Sequence, residues 1–226
     1  MQPPLPMDHP RRPGLSRSDF VTAPGNALAL ALIDGWRDWP SGKMLLTGPS
    51  GSGKSHLAQI WAEQSGARIL AAAGLSGQDI PALAAGPVAV EDLHLLRHRA
   101  DEEALFHLHN LVLAAGQPLL ITGTGVVEGW PLTLPDLKSR VQGAASARLE
   151  PPDDVLLGLV LVKLFAERQL QVAPTVVTYL LKRMDRSFDG AARVVAALDA
   201  ASLAERRGIN VPLAREIMDK FGMPES

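Results

Sequence analysis

Residues 44–55 read MLLTGPSGSGKS, a short apolar run followed by small residues and then by a lysine and a serine. The apolar run predicts a strand, and apolar residues at helical spacing from 57 to 61 predict a helix after the lysine. Glycines let a backbone wrap around phosphate oxygens, and the start of a helix turns its positive end toward the same anion. The alternative, a glycine- and serine-rich turn, leaves the lysine unexplained.

The stretch therefore predicts a nucleotide-binding phosphate loop. In such a loop the lysine, Lys54, reaches the β- and γ-phosphates, and the serine, Ser55, holds Mg²⁺. The residues that we assign to the nucleotide here are Gly48, Pro49, Ser50, Gly51, Ser52, Gly53, Lys54, Ser55 and His56.

Strands and helices alternate on either side of this loop. Strands are predicted at 43–47, 67–71, 87–90, 118–122 and 147–149, and helices at 26–36, 54–64, 76–84, 101–115 and 136–141. Alternation of this kind implies a parallel sheet with helices on both faces. We expect an α/β P-loop domain with a five-stranded parallel sheet over residues 19–150.

The two ends of the chain differ from this pattern. Residues 1–18 contain five prolines and few large apolar residues, which predicts an extended tail. After residue 150 the strand pattern stops, and helices are predicted at 153–168, 174–184, 189–205 and 211–221. Residues 151–226 therefore form a small all-helical domain, whose ten basic and ten acidic residues make it a poor candidate for reading DNA.

Composition excludes several classes of protein. A net charge of −2 over 226 residues argues against nucleic-acid binding through bulk electrostatics. The absence of cysteine excludes disulfides and cysteine metal sites. No apolar run is long enough to span a bilayer or to serve as an export signal, so we expect a cytoplasmic protein without a membrane segment.

Two acids follow the apolar run 88–90. Glu91 and Asp92 come at the end of a predicted buried strand, where a P-loop protein needs oxygen ligands for Mg²⁺ and an acceptor for the attacking water. We assign Glu91, with Ser55, to the metal and Asp92 to the water. The alternative is a strand end that turns into solvent.

Three further residues are candidates for catalysis. Thr122 and Thr124 end the strand at 118–122, where a hydroxyl can sense the γ-phosphate, although a turn or helix cap uses the same residues. Arg140 ends the string LPDLKSR, and its planar charged fork suits phosphate on a neighbouring subunit, although a solvated surface role is the common one. The histidines between 94 and 109 lack metal-ligand spacing and are expected as polar helix positions.

With these motifs in order, the chain resembles the DnaA-related AAA+ ATPases, and among them the Hda-like regulators that inactivate DnaA. The resemblance covers about residues 19–222 and implies an AAA+ core followed by a helical lid. DnaA itself has a DNA-binding helical domain after its lid, and we expect none here. The strings that carry the resemblance are GPSGSGKSHLA, VAVEDLHLL, LPDLKSR, and DRSF with LDAASLAERRGINVPLAREIM.

The resemblance implies roles for further residues. Arg140 matches the arginine finger that is offered to ATP on an adjacent subunit, here DnaA. The sensor 2 arginine of the family falls by count on Asp189, so Arg193 is the nearest substitute. The family's metal-binding Asp is Glu91 here, which leaves intrinsic ATP hydrolysis open. The residues implied near the adenine are Phe20, Val21 and Asn26.

The tail is similar to the short peptides by which such proteins bind the β sliding clamp of DNA polymerase III. An extended, proline-rich segment loses little entropy on binding, and its apolar side chains can fill a groove. An unrelated proline-rich tail is the alternative. The residues of this predicted contact are Gln2, Leu5, Pro6 and Met7.

The sequence thus predicts a nucleotide-binding regulator, with ADP or ATP and Mg²⁺, that stimulates ATP hydrolysis on DnaA together with the clamp. It would contact DNA through the clamp and associate with the nucleoid and replisome. A self-contained AAA+ ATPase, such as a DnaC-type helicase loader, is the alternative. A small-molecule kinase is a third hypothesis, but it would need an acceptor site and a lid between strands, whereas the helical lid predicted here follows the last strand. The oligomeric state stays open, a homodimer included.

Overall fold

The computed structural model of this chain describes residues 15–221. Within that range the chain forms two compact units. The first comprises residues 15–49 and 53–150, and the second comprises residues 50–52 and 151–221.

A five-stranded parallel sheet is the centre of the first unit, which confirms the predicted α/β fold. The strands are β1 (Lys43–Thr47), β2 (Arg68–Ala71), β3 (Val88–Glu91), β4 (Leu119–Gly123) and β5 (Ala145–Arg148). Their order is β2-β3-β4-β1-β5, and every neighbouring pair is parallel. β3 and β4 are buried along their whole length, as expected for strands covered on both faces.

Helices cover both faces of this sheet. They are α1 (Pro24–Asp34), α2 (Lys54–Ser65), α3 (Ile80–Leu83), α4 (Arg99–Ala114) and α5 (Pro135–Gln142). Because successive strand residues point to opposite faces, Leu45 packs in one apolar cluster and its neighbours Met44 and Leu46 pack in another. The first cluster includes residues of α4 and α5, and the second includes residues of α1 and α2.

The predicted helix at 76–84 is wrong in its length. The chain instead forms a 3₁₀ turn at Leu75–Gly77 and then the single-turn helix α3. The break occurs because the Asp79 side chain accepts a hydrogen bond from the Ala82 N–H and begins a new helix, in whose first turn Pro81 is tolerated.

Two buried acids in the first turn of α4 fix two loops. Asp101 accepts hydrogen bonds from the N–H groups of Gly74 (3.0 Å) and Ser76 (2.9 Å). Burial raises the pKa of Asp101, but hydrogen bonds from the Ser76 hydroxyl (2.6 Å) and from these N–H groups hold it below its ordinary value. Glu102 accepts from the N–H groups of Thr133 (2.8 Å) and Leu134 (2.9 Å), directly before α5. α4 thus determines where α5 begins.

The second unit is helical, and its helices are α6 (Asp154–Glu167), α7 (Pro174–Leu181), α8 (Phe188–Glu205) and α9 (Val211–Lys220). The side chains of Asp153, Ser187 and Asn210 cap α6, α8 and α9 by accepting backbone hydrogen bonds. The unit has its own apolar core, which includes Leu161 and Leu213. Within residues 15–221, none of the helices combines the length and the apolar character that crossing a bilayer requires.

His109 departs from the expectation of a polar helix position, because it lies buried in α4 with 2% of its surface exposed. Burial, and then the nearby charge of Lys43, lower its pKa from the ordinary 6.5 to about 4. The ring is therefore neutral in the folded protein at neutral pH.

This shift predicts acid sensitivity. Between the two pKa values the unfolded chain binds more protons than the folded one, so the free energy of unfolding falls as the pH falls. From about pH 8 to about pH 5 the loss attributable to His109 is about 2 kcal/mol. Urea unfolding across this range should show a smaller pH dependence in His109→Leu than in the wild type. Exposed His107, replaced by Gln, is the control, and equal pH dependence in His109→Leu and the wild type would contradict the prediction.

Candidate nucleotide-binding site

The candidate site is built at the carboxyl ends of β1, β3 and β4. Thr47 of β1 pairs with Gly123 of β4, and Val90 of β3 pairs with Ile121 of β4. The register therefore brings together the loop that follows β1, the acid pair that follows β3 and the polar end of β4. Ligands of open α/β sheets bind at this edge of the sheet.

Lys54 is the cation of the site. It is the first residue of α2, directly after Gly53, whose φ of 98° is left-handed and favours glycine. The Lys54 Nζ donates hydrogen bonds to the carbonyl oxygens of Gly48 (2.9 Å) and Pro49 (2.7 Å), and it lies 3.3 Å from the Thr124 Oγ1. Only 6% of Lys54 is exposed, so the loop itself fixes the ammonium group.

Residues 50–52 form the tip of the loop. Gly51 is left-handed with a φ of 69°, whereas Ser50 is exposed. The Ser52 hydroxyl is buried, and no residue in 15–221 forms a hydrogen bond with it. A buried hydroxyl without a partner is costly, so a ligand oxygen would stabilise this tip.

Glu91 is the buried acid of the site. It is the last residue of β3 and is 5% exposed, and its Oε1 is buried without a hydrogen-bond partner in the described part of the chain. Such an oxygen gains free energy from a cation, and Mg²⁺ prefers oxygen ligands. Ser55 is half-buried in the first turn of α2. The residues present therefore fit Mg²⁺ held by Ser55 and Glu91.

The two threonines of the site have different contacts. Thr122 is buried, and its Oγ1 accepts a hydrogen bond from the Asp92 N–H (3.3 Å). Asp92 adopts a left-handed conformation (φ 59°, ψ 42°), and its side chain is half exposed. Thr122 thus holds the backbone of the acid, whereas Thr124 contacts the phosphate lysine.

His94 belongs to the site and was missed by the sequence analysis. Its Nδ1 lies 4.0 Å from the Asp92 Oδ1. Burial lowers the His94 pKa, with smaller contributions from Lys54 and Arg97, while Asp92 raises it. A neutral imidazole beside the half-exposed acid follows from this balance. The available signal was its position, two residues after Asp92.

The residues implied near the adenine fasten the segment before α1 to α2. The rings of Phe20 and His56 meet edge to face at 5.0 Å, and the His56 Nε2 lies 2.9 Å from the Ser16 carbonyl oxygen. Asn26 is buried, donating to the Val21 carbonyl (3.0 Å) and accepting from the Ala23 N–H (2.8 Å). Phe20 thus contacts the start of α2 through the His56 ring, and Asn26 holds the backbone at Val21.

Arg140 is exposed near the end of α5. Its carbonyl oxygen accepts a hydrogen bond from the Nζ of Lys43 (2.8 Å). Lys43 is the first residue of β1, whereas the phosphate loop follows the last. The backbone at Arg140 is therefore held at the end of the sheet opposite the chain's own phosphate loop.

The remaining predicted residues belong to the second unit or lie outside the described range. Within the second unit, the Arg193 Nη2 pairs with the Asp185 Oδ2 at 3.1 Å, and both side chains are more than half exposed. Asp189 is exposed in the first turn of α8. The predicted clamp contact, Gln2, Leu5, Pro6 and Met7, lies outside residues 15–221.

A phosphate loop after the first strand, a parallel sheet in this order and a separate helical unit define an AAA+ protein. Residues 160–218 match the family model of the Hda lid domain. This match supports the resemblance to the Hda-like proteins of the DnaA-related AAA+ family that the motifs predict.

Solved structures share the fold. Domain III of the Thermotoga maritima replication initiation protein DnaA matches with a TM-score of 0.81 and 17% identity, over 93% of this chain and 98% of that one. AMPPCP-bound DnaA from Aquifex aeolicus matches with a TM-score of 0.69 and 16% identity, over 86% and 70%. The Thermotoga maritima RuvB Holliday junction branch migration motor matches with a TM-score of 0.71 and 20% identity, over 92% and 72%.

Proposed function

We propose that this protein is a nucleotide-binding regulator of replication initiation, which stimulates ATP hydrolysis on DnaA together with the β sliding clamp. The observation that carries the proposal is the location of Arg140. This exposed arginine is tied through Lys43 to the edge of the sheet that lies away from the chain's own phosphate loop. The match to the Hda lid domain supports DnaA as the partner.

Arg140 acts on the ATP of the partner. A guanidinium stays charged and offers a planar fork of donors, which suits the charge that spreads over the transferred phosphoryl oxygens. An arginine that another molecule supplies stabilises this charge only when the two proteins are docked. Hydrolysis on DnaA is thereby made dependent on the encounter.

The chain's own nucleotide, ADP or ATP, binds at the carboxyl edge of the sheet. Lys54 holds the phosphates, and Ser55 and Glu91 hold Mg²⁺. The residues that border the base are Phe20, Val21, Asn26 and His56. Bound Mg²⁺ neutralises phosphate charge. The AMPPCP-bound DnaA structures of this fold support nucleotide binding here.

A second candidate function is a self-contained ATPase such as a DnaC-type helicase loader. The observation that favours it is the gathering of Lys54, Glu91, Asp92 and Thr124 at one edge of the sheet, because these side chains suit hydrolysis of the chain's own ATP. Such a protein would need its own turnover, whereas the regulator needs Arg140.

The tail gives a direct test of the proposed function. ATP preloaded on DnaA is followed in a single turnover with clamp-loaded DNA, with the wild type and with the triple variant Gln2→Ala, Leu5→Ala, Met7→Ala. We expect acceleration by the wild type and a loss of about 100-fold in the triple variant, because tethering raises the effective concentration by about 10²–10⁴. High protein concentration should restore the rate.

The double variant Asp8→Ala, His9→Ala is the matched control, since it changes the same tail without removing a predicted anchor or a proline. Full acceleration by the triple variant would refute the clamp tether. No acceleration by the wild type, together with ATP hydrolysis by this protein alone, would refute the regulator and favour the self-contained ATPase.

A further inference from the structure

One face of α4 contacts the helix that carries Arg140. Glu102, Phe106 and His109 follow each other at intervals of four and three residues, which places them on one side of a helix. Glu102 fixes the backbone at Thr133 and Leu134, directly before α5. The start of α5 is therefore fixed by a buried carboxylate.

Phe106 contacts the arginine itself. The Arg140 Cζ lies over the Phe106 ring, 5.2 Å from its centroid, in the geometry of a cation–π contact. Phe106 is half-buried and packs against the apolar cluster of this face of the sheet, so the ring is a fixed surface. An exposed arginine without such a surface samples many rotamers, and this freedom is lost when the side chain is ordered.

Lys43 fixes the other end of α5. Its Nζ donates to the Arg140 carbonyl (2.8 Å), one of the last carbonyls of α5, which lie at the negative end of the helix dipole. Lys43 is only 9% exposed and is paired in the sheet with Leu119, so the helix end is tied to β1.

Burial of the Lys43 ammonium near a second positive charge costs free energy. Burial, and then the charge of Arg140, lower the pKa of Lys43 below its ordinary value. A buried ammonium beside a second cation is a poor device for stability alone. The hydrogen bond from Lys43 to the Arg140 carbonyl instead suits a role in orienting the guanidinium.

We infer that Phe106 and Lys43 are positioning residues that hold Arg140 ready for the ATP of the partner. The inference rests on the proposed function and adds the residues that pre-order its key side chain. Pre-ordering reduces the entropy lost when the guanidinium meets the phosphates, so it acts on the rate in the docked complex.

The test is the single-turnover assay with Phe106→Leu and Phe106→Tyr, each with and without Arg140→Ala. We expect Phe106→Leu to lower the saturating rate by about 10-fold, which lies within the range for a cation–π contact. Phe106→Tyr retains the ring and should restore the rate to within about 2-fold of the wild type. In the Arg140→Ala background, Phe106→Leu should change nothing, since no guanidinium remains to be oriented.

Each other outcome has a separate meaning. If the wild type gives no acceleration, the proposed function fails. If acceleration requires Arg140 but Phe106→Leu matches the wild type, the positioning inference is overturned. An equal effect of Phe106→Leu with and without Arg140 also overturns it, because the role is then structural.

Lys43→Met provides an independent variant that keeps an unbranched stem, one atom shorter, and removes the donor. Lys43→Met should lower the saturating rate when Arg140 is present and should leave the rate unchanged when it is added to Arg140→Ala. Thermal unfolding of each variant shows whether the fold is retained. An effect of Lys43→Met that persists without Arg140 would assign Lys43 to stability alone.

Discussion

Arg140→Ala should reduce the acceleration of ATP hydrolysis on DnaA by roughly 10³-fold or more, the range for an arginine supplied in trans. The expected loss is large because the guanidinium acts on charge that develops in the transition state. Nucleotide binding by this chain should be unchanged, since Lys43 ties Arg140 to the edge of the sheet opposite the phosphate loop. Single-turnover hydrolysis of ATP preloaded on DnaA, with clamp-loaded DNA, measures the effect.

Two further variants sharpen this test. Arg140→Lys keeps the charge but removes the planar fork, and it should recover only part of the rate. Arg99→Ala is the matched control, because Arg99 is an exposed arginine whose ion pair with Glu103 lies on the surface of α4. Equal rates of ATP hydrolysis on DnaA with Arg140→Ala and with Arg99→Ala would refute the proposed role of Arg140.

Lys54→Ala should weaken nucleotide binding by roughly 100-fold, which corresponds to about 3 kcal/mol. The ammonium is almost fully buried in the loop and contacts Thr124 at the end of β4. The other lysines of the first unit's described residues, Lys43 and Lys138, bond elsewhere. The bonds that it makes to phosphate are charge-assisted and shielded from water, which makes them strong. Titration with a fluorescent ADP analogue in the presence of Mg²⁺ gives the affinity.

Lys182→Ala is the control for this substitution, because Lys182 is an exposed lysine of the second unit. Thermal unfolding without nucleotide shows whether the loop variant remains folded, since Lys54 also bonds to the Gly48 and Pro49 carbonyls. An unchanged affinity for the ADP analogue in folded Lys54→Ala would exclude this loop as the nucleotide site.

Local patterns were sufficient to predict most of the core. The strand–loop–helix at 43–65 follows from an apolar run, glycines and helical spacing, all within one segment. The position of Glu91 beside this loop was also predictable, because the carboxyl ends of parallel strands meet at one edge of the sheet. Neither inference needs knowledge of side-chain packing.

Other features depend on contacts between distant parts of the chain. Lys43 and Arg140 are far apart in sequence, and nothing near either residue indicates that one bonds to the other. Asp101 and Glu102 look like ordinary acids in the first turn of a helix, yet loops from elsewhere cover both of them. His109 was misjudged for the same reason, since its burial is decided by the elements packed on α4.

The strand order also bears on how the protein folds. β1, which leads into the phosphate loop, pairs with β4 at 119–123 and with β5 at 145–148, and it has no contact as a strand neighbour with β2 or β3. Pairings between segments so distant in the chain form slowly, and domains fold from the amino terminus as they are synthesised. During synthesis β1 therefore has no neighbouring strand to pair with until the chain has grown beyond residue 123. The phosphate loop is translated early, but the sheet that supports it is complete only late. We therefore expect a nascent chain to bind nucleotide only after β4 and β5 have been synthesised.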